Sequence, residues 1–344
     1  GVVWTFGRYV SKFPYDVIGF NSIAHNFEHG WQWDNGTFEM KFFNHPYHGN
    51  LNYNTARSNG YNFFQSYLFA LGGSFMWEQF MENGPPNQND LYTTSVTGAF
   101  IGETLYRISS LLLDDRVTGY NRVVRELFAG IVDPVRAFNR LLQGKMGRVT
   151  SKEVYQKEPL AITLYAGMNN VNNGTDVAKG ANTGMLSISL DYGNPYEKRF
   201  RKPFDYFSGR VDVNIGRGDK WLGNLIGYGI LYGKNFSSDN QTMLIGIFQH
   251  YDYWDSKSFS IGVSAFSAGI AHKLTLSKNS DIETQINLGI IPLAGINSPY
   301  VEVEERDYDF SGGINGKFES TLNIGGSVLI TASYYFYALH TYVG

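Results

Sequence analysis

The chain has 344 residues, room for one large domain or two ordinary ones, and 43% of them are hydrophobic, which is enough for a core. Its net charge of −3 gives no indication of a nucleic-acid partner, and an aromatic content of 16% excludes a disordered chain. Charged residues make up only 17%, while 39 Gly, 24 Tyr and 25 Phe are present, a mixture typical of membrane-spanning strands.

Residues 1–150 are predicted to form a helical domain. One long helix is predicted from Asn54 to Glu82, because the helical pattern there is ended by Asn83-Gly84-Pro85-Pro86, a strong stop signal. Asp90 is expected to be the N-cap of a second helix over about 91–113. Shorter helices follow at about 120–130 and 134–143, the latter with Pro134 in its first turn.

Small residues mark the expected contact between the two long helices. Gly72, Gly73 and Ser74 lie in the first of them, and Gly98 and Gly102 lie four residues apart in the second. Because small residues let helices approach closely, we expect the two helices to pack as an antiparallel pair. Their outer faces remain aromatic and need burial against a barrel, a membrane surface or a partner.

Residues 151–344 are predicted to form antiparallel strands, because apolar and polar residues alternate there with a period of two. Many of these strands are about 11–18 residues long, whereas strands of soluble proteins average about five or six. No stretch reaches the 18 to 20 apolar residues of a membrane-spanning helix. We therefore predict a mainly β fold, an antiparallel transmembrane β-barrel preceded by the helical domain. The nine strands lie at about 159–169, 185–192, 209–216, 222–235, 241–254, 258–277, 282–290, 306–322 and 326–343.

The predicted strand count is odd, whereas single-chain bacterial barrels normally have an even number of strands. Three explanations for a tenth strand are open: its pattern is too weak to recognise, it is formed by Val2–Phe13, or it lies beyond Gly344. In the last case the barrel is incomplete. Side chains nearly fill a barrel of eight to ten strands, so a wide channel is not expected. Several polar residues should face the lumen if Val211, Ile245 and Ile286 face lipid. They are Arg210, Asp212, Asn214, His250, Asp252, Glu283, Gln285 and Asn287.

Short motifs crowd the helical half: His45-Pro46-Tyr47-His48-Gly49, Ala56-Arg57-Ser58-Asn59-Gly60, Trp77-Glu78, Glu82, Asn89-Asp90, Gly102-Glu103 and Leu113-Asp114-Asp115. With these motifs the sequence resembles a family of uncharacterised bacterial envelope proteins, common in Bacteroidetes-type organisms and known only as a domain of unknown function. The resemblance is dense over residues 33–145 and looser over the strands. It implies an envelope protein with a C-terminal barrel, and it implies no known activity.

One chemical hypothesis is a hydrolase of a lipid ester or amide, in which a histidine activates a hydroxyl and a third polar group orients the histidine. The base would be His45 or His48, and Glu78 would orient it. The candidate nucleophiles are Ser58, Ser66 and Ser74. Against this hypothesis, the chain has no Gly-x-Ser-x-Gly elbow.

A second hypothesis is a zinc or iron site formed by His45, His48, Glu78 and Glu82. Its specificity is low, because a His-x-x-His pair in a proline-containing loop is common and neither His-Glu-x-x-His nor Glu-x-x-His occurs.

A third hypothesis gives these polar residues a structural role only. Buried charges need partners, and pairs of Glu103 with Arg107 and of Glu78 with Arg57 would supply them. Asn89 or Asp90 would cap the second helix in this interpretation.

The leading functional expectation is a structural or accessory component of the outer membrane of a Gram-negative bacterium. Its helical domain, luminal or periplasmic, would engage the barrel or envelope partner proteins. Outer-membrane lipids, lipopolysaccharide and other outer-membrane proteins are the expected partners, without nucleic acid and without a cofactor. A lipid or lipopolysaccharide hydrolase and a small-solute channel gated by the helical domain are the alternatives.

Overall fold

The computed structural model of the chain describes residues 18–171, 181–197, 200–215, 220–256, 259–297 and 306–343. The chain divides into two compact units, Gly1–Tyr155 and Gln156–Gly344. The first unit is helical and the second is built on one antiparallel sheet. The strand suggested at Val2–Phe13 lies outside the described residues.

Seven α-helices and two π-helical turns are described in the first unit. The turn Met40–Asn44 leads into α2, and the turn Thr93–Thr97 joins α4 to α5. None of the described helices is both long enough and apolar enough to span a membrane. The helices are α1 Phe20–His29, α2 His45–Arg57, α3 Phe63–Phe80, α4 Gln88–Tyr92, α5 Gly98–Leu112, α6 Gly119–Val132 and α7 Pro134–Leu142.

The prediction of one helix from Asn54 to Glu82 is wrong, because the chain leaves the helical conformation between α2 and α3. Gly60 adopts φ +98°, a left-handed conformation that favours glycine. Asn62 then starts α3 with a reciprocal capping box: its side chain accepts from the backbone N–H of Gln65 at 3.0 Å, and the Gln65 side chain accepts from the N–H of Asn62 at 3.0 Å.

Two other local predictions are corrected. The motif from His45 to Gly49 is not a loop but the first turn of α2, where the missing N–H of Pro46 costs no helical hydrogen bond. Asp90 does not cap the second helix, because Asn87 precedes α4 and Asp90 lies inside it. The shorter helices α6 and α7 lie where they were predicted, with Pro134 at the start of α7.

Glycine contacts join α5 to α2 and not, as predicted, mainly to α3. A Cβ atom on Gly98 would lie 2.6 Å from the Cα atom of Gly49, and one on Gly102 would lie 2.6 Å from the ring of Tyr53. Gly72 of α3 has no neighbouring atom within 4 Å of such a position. The small residues of α5 are therefore matched by a glycine and an aromatic ring on α2.

The sheet of the second unit contains nine long strands and one strand of two residues, and the nine confirm the predicted number. Neighbouring strands are antiparallel in the order β1-β2-β4-β5-β6-β7-β8-β9-β10, and β3 pairs with β5. Within the described residues β1 and β10 do not pair with each other, so the sheet is a curled half-barrel. The strands are β1 Leu160–Val171, β2 Ala181–Tyr192, β3 Phe200–Arg201, β4 Phe207–Ile215, β5 Leu222–Ser237, β6 Gln241–Asp255, β7 Ser260–Ser277, β8 Ser280–Asn297, β9 Asp309–Ile324 and β10 Ser327–Val343.

Candidate functional site

Each of the two π-helical turns contributes a side chain to the same cluster of polar residues in the helical unit. Lys41 comes from the first turn and Thr94 from the second. His45 directly follows the first turn, Asp90 lies three residues before the second, and Asp34 lies before both. We call these five residues the Lys41 cluster. Such turns insert an extra residue and re-aim a helix face, and they are frequent at functional sites.

At the centre of the Lys41 cluster, buried charged groups are paired by ion pairs and hydrogen bonds. The Nζ atom of Lys41 donates to Oδ2 of Asp90 at 2.8 Å and forms an ion pair with Asp34. The Asn89 side chain donates to Oδ1 of Asp90 at 2.8 Å and accepts from the backbone N–H of Asp34 at 2.9 Å. Lys41 and Asp90 are only 3% and 2% exposed, so these bonds replace the water that both charges lose.

His45 connects this ion pair to a hydroxyl. Its Nε2 atom lies 3.4 Å from Nζ of Lys41 and 3.7 Å from Oδ2 of Asp90, and its Nδ1 atom lies 3.3 Å from Oγ1 of Thr94. Burial, and then the charges of Lys41 and His48, hold the pKa of His45 well below its usual range. A neutral imidazole between a hydroxyl and a carboxylate is the set of groups that activates a nucleophile. Thr94 is 6% exposed.

The two glutamates predicted for the site accept hydrogen bonds from groups other than the histidines. Oε2 of Glu78 accepts the backbone N–H of Asn87 at 2.9 Å, and burial followed by the charges of Asp90 and Glu82 raises the pKa of Glu78 well above its usual range. Oε1 of Glu82 accepts from the indole N–H of Trp77 at 2.6 Å. The predicted pairing of Glu78 with Arg57 is wrong, because Arg57 is held by another carboxylate.

Of the three serines predicted as possible nucleophiles, Ser58 is far from His45. Ser58 follows the last residue of α2, thirteen residues after His45, which corresponds to about 20 Å along a helix. Its Oγ atom donates to the carbonyl of Asn54 at 2.6 Å and accepts from Nδ2 of Asn139 at 2.6 Å. The hydroxyl that His45 contacts is Thr94, which the sequence reasoning missed. Its position one helical turn after Asp90 was the available signal.

The predicted metal set is not assembled either. The rings of His45 and His48 lie 6.1 Å apart, edge to face, while Glu78 and Glu82 have the partners described above. Within the part of the chain that the structure describes, no group of three or more His, Cys, Asp or Glu side chains is arranged to hold a metal ion. Ser66 and Ser74 are buried in α3, and Oγ of Ser74 lies 3.5 Å from the carbonyl of Asp90.

A second polar group, the Glu103 network, fixes α5 to α2. Fully buried Glu103 accepts from Arg57 at 2.7 and 3.1 Å, from Arg107 at 2.7 Å and from the hydroxyl of Tyr53 at 2.6 Å. Burial alone would raise the pKa of Glu103, but the two guanidinium groups outweigh it and the pKa is lowered. The ring of Tyr106 adds a cation–π contact to Arg57 at 4.2 Å.

The second unit buries a polar row on one face of its sheet. Asp252 is fully buried and accepts from Lys317 at 2.5 Å and from the hydroxyl of Tyr337 at 3.0 Å. His250, also fully buried, lies 2.6 Å from Oγ of Ser267. Polar side chains are therefore packed inside this face and pair with one another.

Most of the other residues predicted for the lumen are also buried or half-buried in the sheet. Asp212 is buried and accepts from Asn224 at 3.0 Å. Arg210 and Glu283 are half-buried; Arg210 lies 3.5 Å from Asp212, and Glu283 accepts from Lys273 at 2.7 Å. Asn287 and Gln285 are buried beside each other, with 3.3 Å between Gln285 Nε2 and Asn287 Oδ1.

Among known protein families, one family model matches the chain, and the match lies within the helical unit. A family model described as a domain of unknown function, DUF3943, matches residues 30–135. This stretch contains the whole Lys41 cluster and the whole Glu103 network, and the match agrees with the resemblance to an uncharacterised family. No curated protein and no solved structure matches the chain.

Proposed function

We propose that this chain is a structural or accessory protein of the outer membrane of a Gram-negative bacterium, held in the bilayer by its strands. Its helical unit would engage the barrel lumen or envelope partner proteins. The observation that carries the proposal is the inverted sheet, which buries polar residues and exposes apolar ones.

The exposed face of the sheet is apolar over several adjacent strands. Leu288 and Ile290 of β8 are 69% and 61% exposed, and Ile314 of β9 is 55% exposed. Buried Asn287 lies between exposed Ile286 and exposed Leu288. Monomeric proteins in water rarely expose contiguous apolar patches of more than a few hundred Å². In outer-membrane strands, apolar residues that face lipid alternate with polar residues that face the barrel interior. Other exposed apolar residues of the strands are Ile162, Leu164, Met168, Ile245, Ile247, Ile270, Ile286, Phe318, Val328 and Ile330.

A charge on this face tests the proposal. An arginine at the bilayer midplane costs about 2–4 kcal/mol in such strands, so Leu288→Arg should deplete the protein from the outer-membrane fraction. Asp239→Arg, in the exposed turn between β5 and β6, is the matched control and should leave the yield unchanged. A wild-type protein that fractionates with soluble proteins, or equal yields of the two variants, would count against membrane insertion.

A second candidate function, hydrolysis of a lipid ester, is favoured by the row of Thr94, His45 and Asp90. The Thr94 hydroxyl would attack the ester carbonyl while neutral His45 takes its proton and then passes it to the departing alcohol. Water, activated by His45, would then hydrolyse the ester formed on Thr94 and release the acid. Ester hydrolysis in detergent micelles should be lost in Thr94→Val and in His45→Ala and retained in Ser58→Ala. Hydrolysis that survives both of the first two substitutions would exclude this site.

A further inference from the structure

Helices α6 and α7 turn their charged faces inward. Arg122 and Glu126 of α6 and Arg140 of α7 are all buried. Glu126 Oε1 accepts from Arg122 Nε at 2.8 Å and from Arg140 Nη2 at 2.6 Å. Asp115 binds Arg122 at 2.8 Å and Arg140 at 2.9 Å. These charge-assisted bonds fix which face of each helix points into the unit.

The apolar faces of the same helices consequently point outward. Val123, Leu127 and Ile131, spaced four residues apart along α6, are 64%, 60% and 67% exposed. On α7, Phe138 and Leu142 are 58% and 69% exposed. An amphipathic helix in a water-soluble domain has the opposite orientation, with its apolar stripe toward the core.

An open groove of about 580 Å³ runs along the apolar face of α6 and past Pro134 and Ala137 of α7. Leu127, Ile131 and Met146 are among its lining residues. Gly130 also lines it, and a Cβ atom there would lie 3.0 Å from the Cβ of Ala137, so the small residue lets the two helices approach. The groove is mostly apolar, which suits a hydrocarbon chain.

Charge distinguishes this hairpin from the rest of the chain. Residues 119–152 contain seven basic and two acidic residues, a net charge of +5 in a chain whose total is −3. The arginines that face inward are paired, but Lys145, Arg148 and Lys152 follow α7 at half-buried or exposed positions. Lys145 directly precedes Met146 of the groove. A positive rim beside an apolar face complements a lipid with an anionic headgroup.

We propose that the α6–α7 hairpin binds anionic phospholipid, with acyl chains on the exposed apolar face and in the groove and the phosphate at Lys145 and Arg148. The inference rests on the proposed membrane location of the chain, but it concerns a different surface from the lipid-facing sheet. It assigns the hairpin to the interface of the bilayer, where helices with an apolar face and basic flanks lie flat.

The 344-residue chain allows a direct test, because it contains no cysteine and single cysteines can be labelled without background. A fluorophore on Leu127→Cys reports on the hairpin, one on Leu288→Cys reports on the sheet, and one on Glu28→Cys of α1 is an exposed control. Each labelled protein is reconstituted into vesicles of phosphatidylcholine, with or without phosphatidylglycerol, that carry a lipid-bound quencher.

We expect lipid quenching at position 127 that is several-fold stronger with phosphatidylglycerol, and no lipid quenching at position 28. Lys145→Gln with Arg148→Gln should reduce docking by about fivefold per residue, since each basic residue near an anionic surface is worth about 1 kcal/mol. Quenching at position 288 should stay unchanged in that variant.

Three results would overturn the inference. Quenching at position 288 without quenching at 127 would show an inserted sheet and an undocked hairpin. Equal quenching at 127 in both kinds of vesicle would show that anionic headgroups are not recognised. A label at 127 protected from both lipid quencher and aqueous iodide would show that protein, such as a second copy of the chain, covers the face. An unquenched label at 288 contradicts the proposed function instead, whatever the label at 127 reports.

Discussion

Removing the charge of Glu103 should destabilise the helical unit strongly. Glu103 is bonded to both Arg57 and Arg107, and the side chains of these arginines are 16% and 5% exposed. In Glu103→Gln both buried guanidinium groups lose this counter-charge. Breaking a buried ion pair costs about 3–5 kcal/mol, a large part of the roughly 5–15 kcal/mol that stabilises a domain.

Chemical denaturation followed by circular dichroism at a helix-sensitive wavelength measures this loss. The helical transition of Glu103→Gln should move to a clearly lower denaturant concentration, while the sheet, which forms a separate unit, keeps its own transition. Arg116→Gln is the matched control, because the Arg116 side chain is 47% exposed and solvent screens its ion pair with Asp114, which should contribute little to stability. A wild-type midpoint in Glu103→Gln, or the same loss in both variants, would refute the role of the Glu103 network.

Two further predictions concern the same unit. Asp133 caps α7 by accepting the N–H of Arg136 at 2.9 Å, and burial raises its pKa from 3.8 to about 6, so the folded state holds this proton more tightly. Its contribution is complete below about pH 4 and is lost, by about 3 kcal/mol, as the pH rises through 6. Asp133→Asn should flatten that part of a stability profile measured from pH 4 to 8, and an unaltered profile would refute the assignment. Gly49→Ala should destabilise the unit by about 1–3 kcal/mol, because its Cβ would overlap the backbone carbonyl of Thr94, whereas Gly72→Ala in open space should stabilise it by about 0.5–1 kcal/mol. Equal melting temperatures of the two variants would contradict the glycine contact.

The strands could be predicted because their signal is local. Alternation along β8 alone separates Ile286 and Leu288 from Gln285 and Asn287, and the structure exposes the first two and buries the others. The break between α2 and α3 was missed because the helical pattern continues across Asn59-Gly60, where the left-handed glycine and the capping box decide the geometry.

The candidate site was harder to predict because it depends on contacts between distant residues. Lys41 and Asp90 are separated by 49 positions, and no spacing rule joins them. The predicted residues His45, Glu78 and Asp90 do lie in or next to the Lys41 cluster, whereas Ser58 lies about 20 Å away along α2. Amphipathicity also identifies the apolar stripe of a helix without showing which face points inward, so the inverted orientation of α6 was not predictable from its pattern.

The most direct test of membrane insertion is a scan of spin labels along β8. Single cysteines at Ile286, Leu288 and Ile290 should place nitroxides on the apolar face, and cysteines at Glu283 and Gln285 should place them on the other face. In reconstituted vesicles we expect labels at 286, 288 and 290 to be highly accessible to oxygen and poorly accessible to a water-soluble nickel complex. Labels at 283 and 285 should not show this combination. High accessibility of 286, 288 and 290 to the nickel complex would contradict insertion of this sheet into a bilayer.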